Sequence, residues 1–292
     1  MDLFRSLLFV PGNQERMLTK AATFNPDVFI PDMEDSVASD NKTEARSIVS
    51  NHIQLLAAGE RLVIPRLNAL DTGLLEEDLE SVVKTEVFGI SVGKIQNVDD
   101  VDHIDQLMGE AELKANLKKG TLRLLPWIET AAGVLNAYGI LSRSTRICAA
   151  AFGAEDYTND MGIERRGDND EITYAKNHVA IAARAAGVPA LDTPFFAFRD
   201  LDALRRDADD SRAIGYKGKF AIHPNQINII NECFSPSKEE IKHATDVIKA
   251  FEEASARGRG STSLDGSVVD VPVVKRAQGL LAAASRMGII GK

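Results

Sequence analysis

Glu129 and Asp156 are the two residues whose types and positions best suit holding one divalent metal ion. Each stands at the end of a short apolar run, 122–128 for the first and 147–152 for the second. Further acids, Asp32, Glu34, Asp35 and Glu155, occupy equivalent run ends. Those ends carry one histidine, His223, and no cysteine. An oxygen-rich set of this kind suits Mg2+, with Mn2+ possible, over Zn2+. Mg2+ takes one or two carboxylates and keeps its other positions for water or substrate. Asp32, Glu34 and Asp35 are expected around this pair, or else as caps of the helices that follow.

Arg66 follows Val63-Ile64-Pro65. A guanidinium there can bind a carboxylate through two parallel bonds or stabilise a developing oxyanion. It can also pair with Glu34 or Asp35. At Gly153-Ala154 the small residues let backbone amides approach a ligand, with a plain tight turn as the alternative. His223 precedes a proline and reads as a packed, hydrogen-bonded group. His52, His103, His178 and His243 fall on helix-like stretches. Trp127 is expected to pack behind the strands.

Eight short apolar runs position these residues: 6–10, 28–31, 62–65, 89–95, 122–128, 147–152, 190–193 and 218–222. Most are continuous, as in strands buried on both faces. Helix-like stretches lie between them, such as 72–84 and the alanine-rich 171–187. Eightfold strand–helix alternation predicts an α/β fold, a (β/α)8 TIM barrel, with a doubly wound open sheet as the rival. In a barrel all strand C-termini face one rim, so the polar run ends converge there. The barrel accounts for 1–234, leaving a C-terminal helical extension, 235–292. In that extension 238–254 and 271–287 read as helices, and the Gly/Ser/Arg-rich 257–267 as a flexible segment.

Composition narrows the function. The 292 residues carry 34 basic and 43 acidic side chains, a net charge of −9. So acidic a chain is not a general nucleic-acid binder. No stretch approaches the length of a membrane span, and the apolar N-terminal stretch is short for a signal peptide. Two cysteines, with Cys148 in an apolar run, make no disulfide framework, so a reducing cytoplasm is the expected location. Neither a G-x-G-x-x-G nor a Walker motif is present.

Several segments resemble one family. Arg5-Ser6-Leu7-Leu8-Phe9-Val10-Pro11-Gly12-Asn13 resembles the opening of the citrate lyase β-subunit-like branch of the HpcH/HpaI aldolase superfamily. Asp32-Met33-Glu34-Asp35-Ser36-Val37, Pro65-Arg66-Leu67-Asn68, Ile128-Glu129-Thr130-Ala131 and Phe152-Gly153-Ala154-Glu155-Asp156-Tyr157 match it in order, as does Gly218–226 with its His223-Pro224-Asn225-Gln226 end. The resemblance runs nearly end to end.

It implies a (β/α)8 barrel, a homotrimer, and action on CoA or carrier-protein thioesters of β-hydroxy acids. It implies Glu129 and Asp156 as Mg2+ ligands and Arg66 as the substrate-binding arginine. The amides of Gly153, Ala154 and Glu155 would bind the keto-acid carboxylate. Asp270, in Gly266-Ser267-Val268-Val269-Asp270-Val271-Pro272, would enter a neighbouring subunit's site and move a proton; a helix N-cap is its other reading. Arg5, Arg16 and Lys20 are candidate CoA contacts. The expected reaction splits malyl-CoA or citramalyl-CoA into acetyl-CoA and glyoxylate or pyruvate. A citrate lyase β subunit, a malyl-CoA thioesterase and a non-catalytic acyl-CoA-binding paralogue are the alternatives.

Overall fold

The computed structural model describes every residue except Met1, Asp2, Glu60 and Lys292. The chain divides into two compact units, one of Phe4–Asn231 and one carried by the segment from Glu232 onward.

In the first unit the apolar runs become parallel strands: β1 (Ser6–Pro11), β2 (Val28–Asp32), β3 (Leu62–Val63), β4 (Arg66–Leu67), β5 (Gly89–Val92), β6 (Arg123–Ile128), β7 (Ala150–Phe152), β8 (Ala190–Asp192) and β9 (Gly218–Ala221). β1 pairs with both β2 and β9, so the sheet closes. β3 and β4 both pair with β2 and are halves of one barrel strand. Pro65 lies between them; it has no N–H to give the ladder, which breaks there. The result is an eight-position parallel barrel with helices between strands, a TIM barrel as expected.

Side chains alternate in and out along each strand. Leu7, Val28, Ile30, Ile64, Leu125, Trp127, Ala151, Leu191 and Phe220 fill the interior. Continuing that two-residue alternation toward the strand C-termini brings Asp32, Arg66, Gly93, Glu129, Gly153 and Thr193 to one interior layer. Pairing sets the heights: Asp32 lies opposite Arg66, and Trp127 opposite Ala151.

Trp127 does not pack behind the strands. Its ring clusters with those of Phe9 and Phe220, with centroids 5.8 and 4.4 Å away, and its Nε1 donates to Ser91 Oγ at 2.7 Å. Its alternation parity matches that of Leu125, which decides the inward direction. These rings floor the upper interior layer.

The outward residues meet the helices, and one such contact is ionic. Lys219 of β9 is fully buried and pairs with Asp192 of β8 and, at 2.5 Å, with Asp207. Lys176 reaches Asp192 at 2.9 Å, and Ser211 Oγ donates to Asp192 at 2.7 Å. Helices Thr173–Ala186 and Leu201–Ala213 supply Lys176, Asp207 and Ser211. Burial alone would raise the Asp192 carboxyl, but the two lysines hold it below the usual range.

In the C-terminal unit, helices Lys238–Ser255 and Val271–Arg286 pack around Ala244, Val247, Val274 and Ala277. Segment 257–267 is not simply a flexible link. Most of it belongs to an antiparallel hairpin, β10 (Thr262–Leu264) with β11 (Ser267–Val269). Asp265 and Gly266 turn it with φ of 48° and 78°, the left-handed pair that a tight hairpin turn requires. Among the described residues no helix is long and apolar enough to cross a membrane.

Candidate active site

The rim is assembled from the C-terminal ends of five barrel positions. Asp32 ends β2, and the following turn carries Glu34 and Asp35. That turn is fixed internally: Asp32 Oδ1 accepts from the Glu34 amide at 2.9 Å and Oδ2 from the Ser36 amide at 3.1 Å. Lys42 Nζ donates to the carbonyls of Met33 and Glu34 at 2.8 and 2.7 Å.

Arg66 faces this turn. Its Nε and Nη2 donate to the two oxygens of Asp32, each at 2.8 Å. Its Nη1 donates to Asp35 at 2.9 Å and lies 3.2 Å from Glu34 Oε2. The guanidinium lies over Phe9, 4.8 Å from the ring centroid, and 5.9 Å from that of Trp127. Its two-point face is therefore turned to Asp32, a partner sequence reading did not name. Burial would push the Asp32 carboxyl up, but Arg66 holds it below its ordinary value.

Glu129 follows β6 and is buried. Its Oε1 accepts from the Lys94 amide at 2.7 Å. Burial, Asp156 and Glu34 together push its carboxyl up to about 8. Burial, despite Arg66, pushes Glu34 up to about 7, and Glu34 Oε1 is buried without a hydrogen-bond partner. Asp156 lies in the first turn of helix Ala154–Met161, half-buried; burial and then Asp35 raise its carboxyl. Lys94, Glu129, Thr130 and Asp156 line one cleft of about 410 Å³, with Asp71, Asp100 and Asp160 among its walls.

Crowded, buried carboxylates held above their ordinary range are short of positive charge. A divalent cation supplies it, so Glu129 and Asp156 fit a magnesium site. Among the described residues no three His, Cys, Asp or Glu side chains form a ready ligand set. Two carboxylates agree with an ion that keeps positions for water or substrate.

Two amides of the 153–155 loop have partners within the chain. Gly153 N–H donates to the Ile128 carbonyl at 3.3 Å, and Ala154 N–H to Thr193 Oγ1 at 3.2 Å. Of the three amides expected to face a carboxylate, Glu155 remains, in the helix's first turn where no carbonyl lies one turn back. The Glu155 side chain turns to Arg165 Nε at 3.0 Å. Arg5 also changes role: it lies before β1, away from the rim, bonded through two nitrogens to Asp27 at 2.8 and 2.9 Å. Arg16 and Lys20 lie exposed on helix Glu15–Ala21.

His223 is the packed group expected. It stacks on Phe198 with centroids 5.0 Å apart, and its Nδ1 lies 2.6 Å from Asn225 Oδ1. Asp270 belongs to the C-terminal unit, where it caps helix Val271–Arg286, Oδ1 accepting from the Val273 amide at 3.2 Å. A groove of about 400 Å³ in that unit, lined by Phe251, Glu252 and Val274, gathers no comparable set of acids.

Sequence reading missed Gly93, Lys42 and Thr193, and left Lys94 without a role. A glycine directly before the Lys94-Ile95 run end was the available signal for Gly93. Lys42 acts from a helix, so no strand-end pattern marks it.

Residues 5–224 match the family model for HpcH/HpaI aldolase/citrate lyase. The chain belongs to this family. The citrate lyase subunit beta of Leuconostoc mesenteroides subsp. cremoris is 36% identical over 97% of this chain and 94% of its own length. The human mitochondrial citramalyl-CoA lyase is 32% identical over 96% of this chain and 85% of its own. The crystal structure of CitE from Mycobacterium tuberculosis, in complex with magnesium, acetoacetate and coenzyme A, superposes with a TM-score of 0.81 at 27% identity. That likeness covers 97% of this chain and 98% of CitE. This HpcH/HpaI chain is thus a carbon–carbon lyase by class.

Proposed function

We propose that this lyase is Mg2+-dependent and cleaves a β-hydroxyacyl-CoA thioester, malyl-CoA or citramalyl-CoA, into acetyl-CoA and glyoxylate or pyruvate. The observation that carries the reading is the crowding of Glu129 with Asp156 at a barrel rim that also holds Arg66. Magnesium and CoA in the CitE complex, and the substrate in the name of the human relative, support it.

Glu129 and Asp156 would hold the ion. An ion held there would supply Lewis-acid stabilisation to the substrate oxygen that becomes the carbonyl. The chain's own residues do the rest. Arg66, locked by Asp32 and backed by Phe9, holds a permanent positive charge behind the cleft and would stabilise through space the enolate oxygen of the acetyl thioester as it develops. The Glu155 amide binds the oxo-acid carboxylate. Asp270, delivered by a neighbouring subunit of a homotrimer, carries the proton to or from the acetyl carbon.

A citrate lyase subunit beta is the second reading, favoured by the 36% identity to the Leuconostoc protein. A panel of malyl-, citramalyl- and citryl-CoA with Mg2+ tests the proposal, with oxo acid and free thiol followed separately. Oxo acid without free thiol from malyl- or citramalyl-CoA is expected. Oxo acid from citryl-CoA alone supports the second reading, free thiol a thioesterase, and no turnover a binding protein.

A further inference from the structure

Lys94 is the only cation among the described residues that line the rim cleft. It follows β5 and has a φ of 55°, in the left-handed region that side-chain-bearing residues rarely adopt. Its backbone is held there by the bond from its amide to Glu129 Oε1. Its ammonium is not matched by the protein in the same way. The nearest acid, Glu34 Oε1, is 3.8 Å away, beyond hydrogen-bond distance, on a side chain only 6% exposed. Burial opposes the charge on Lys94, yet Glu34, Asp156, Asp35 and Glu129 together keep it protonated.

An anionic ligand entering this cleft meets Asp71, Asp100 and Asp160 besides the carboxylates assigned to the metal. Arg66 and Lys42 are also cations near the rim, but the two-point face of Arg66 is committed to Asp32, Lys42 is committed to the Met33 and Glu34 carbonyls, and neither lines the cleft. N–H donors for a carboxylate must then come from Lys94 as well as from the metal and the backbone. The strained backbone fits this: strain of this kind persists at functional positions where the surroundings hold it.

We infer that Lys94 is a substrate-binding residue whose ammonium holds the carboxylate of the oxo acid. The inference rests on the lyase reading above and adds to it a side chain for anion recognition.

Calorimetric titration of pyruvate and of glyoxylate into the full-length, Mg2+-loaded protein tests it without turnover. Lys94→Met is expected to weaken oxo-acid binding by roughly 10- to 100-fold, the range of one charge-assisted hydrogen bond. Mg2+ affinity, titrated alone, should hold or tighten, because a competing cation is gone. Lys94→Arg should recover most of the oxo-acid affinity. Unchanged oxo-acid binding in Lys94→Met overturns the inference, leaves the lyase reading intact, and makes Lys94 a counter-charge for Glu34. Loss of Mg2+ affinity in that variant also overturns it, assigning Lys94 to the placement of Glu129. If the wild-type protein binds neither oxo acid, the malyl-CoA or citramalyl-CoA reading fails and this inference with it.

Discussion

A Cβ on Gly153 would overlap Oε2 of Glu129 and lie 2.8 Å from the Cβ of Glu129. Gly93, directly after β5 at the other side of β6, would bring a Cβ to 2.7 Å from Oε1. Both neighbours of Glu129, the proposed metal ligand, are therefore glycines for space. Gly153 has φ −106° and ψ 99°, which alanine adopts without strain. Gly153→Ala thus tests the space alone. We expect Mg2+ affinity to fall at least roughly tenfold and stability to fall by about 1–3 kcal/mol through overpacking. Calorimetry and denaturant unfolding read the two effects separately.

The raised carboxyls set a pH dependence. Glu129 at about 8 and Glu34 at about 7 bind protons in the folded, metal-free protein that the unfolded chain releases near its ordinary value of 4.5. The folded state then holds more protons across that window, so stability falls as pH rises. In EDTA, Tm should decline from about pH 4.5 to about 8 through these groups. The Tm gain from Mg2+ should grow over the same range, and Mg2+ binding near pH 7 should release protons, seen as a buffer-dependent heat. A Mg2+ effect independent of pH would contradict the crowding at Glu129.

Arg66 is as much a structural group as a chemical one. Removing it leaves Asp32 buried without its partner. Arg66→Ala is expected to cost about 3–5 kcal/mol, as for other broken buried pairs. Arg66→Lys keeps a charge but not the two parallel bonds to Asp32, and should fall between the two. Equilibrium denaturation gives both values.

Much of the barrel was legible because its strands are apolar on both faces, which leaves continuous runs with polar ends. That pattern located Asp32, Arg66, Glu129 and Asp156 on one rim. What stayed hidden depended on facing direction or on partners distant in sequence. Trp127 points inward because of its parity with Leu125, and a continuous apolar run conceals parity. The partner of Arg66 depended on the register that sets it opposite Asp32. The ion cluster of Lys219, Asp192 and Lys176 spans strands and helices with no local signature. The hairpin at Asp265-Gly266 was different: its turn pair was readable, but the surrounding Gly, Ser and Arg residues suggested flexibility.

Asp270 separates two roles cleanly. As an N-cap it accepts from the Val273 amide, and asparagine caps a helix about as well. Asp270→Asn should leave Tm within a degree or two while lowering turnover by about 10²–10⁴-fold if it carries the proton. Full activity in that variant would leave the cap as its whole role.

Metal-dependent cleavage at Glu129 is tested by oxo-acid release from malyl-CoA and citramalyl-CoA by the wild-type protein and by Glu129→Gln, each with Mg2+ and with EDTA. Release is expected from the wild-type protein with Mg2+, with its loss in EDTA and its loss in Glu129→Gln even at high Mg2+. Equal release in EDTA, or by Glu129→Gln, would contradict it.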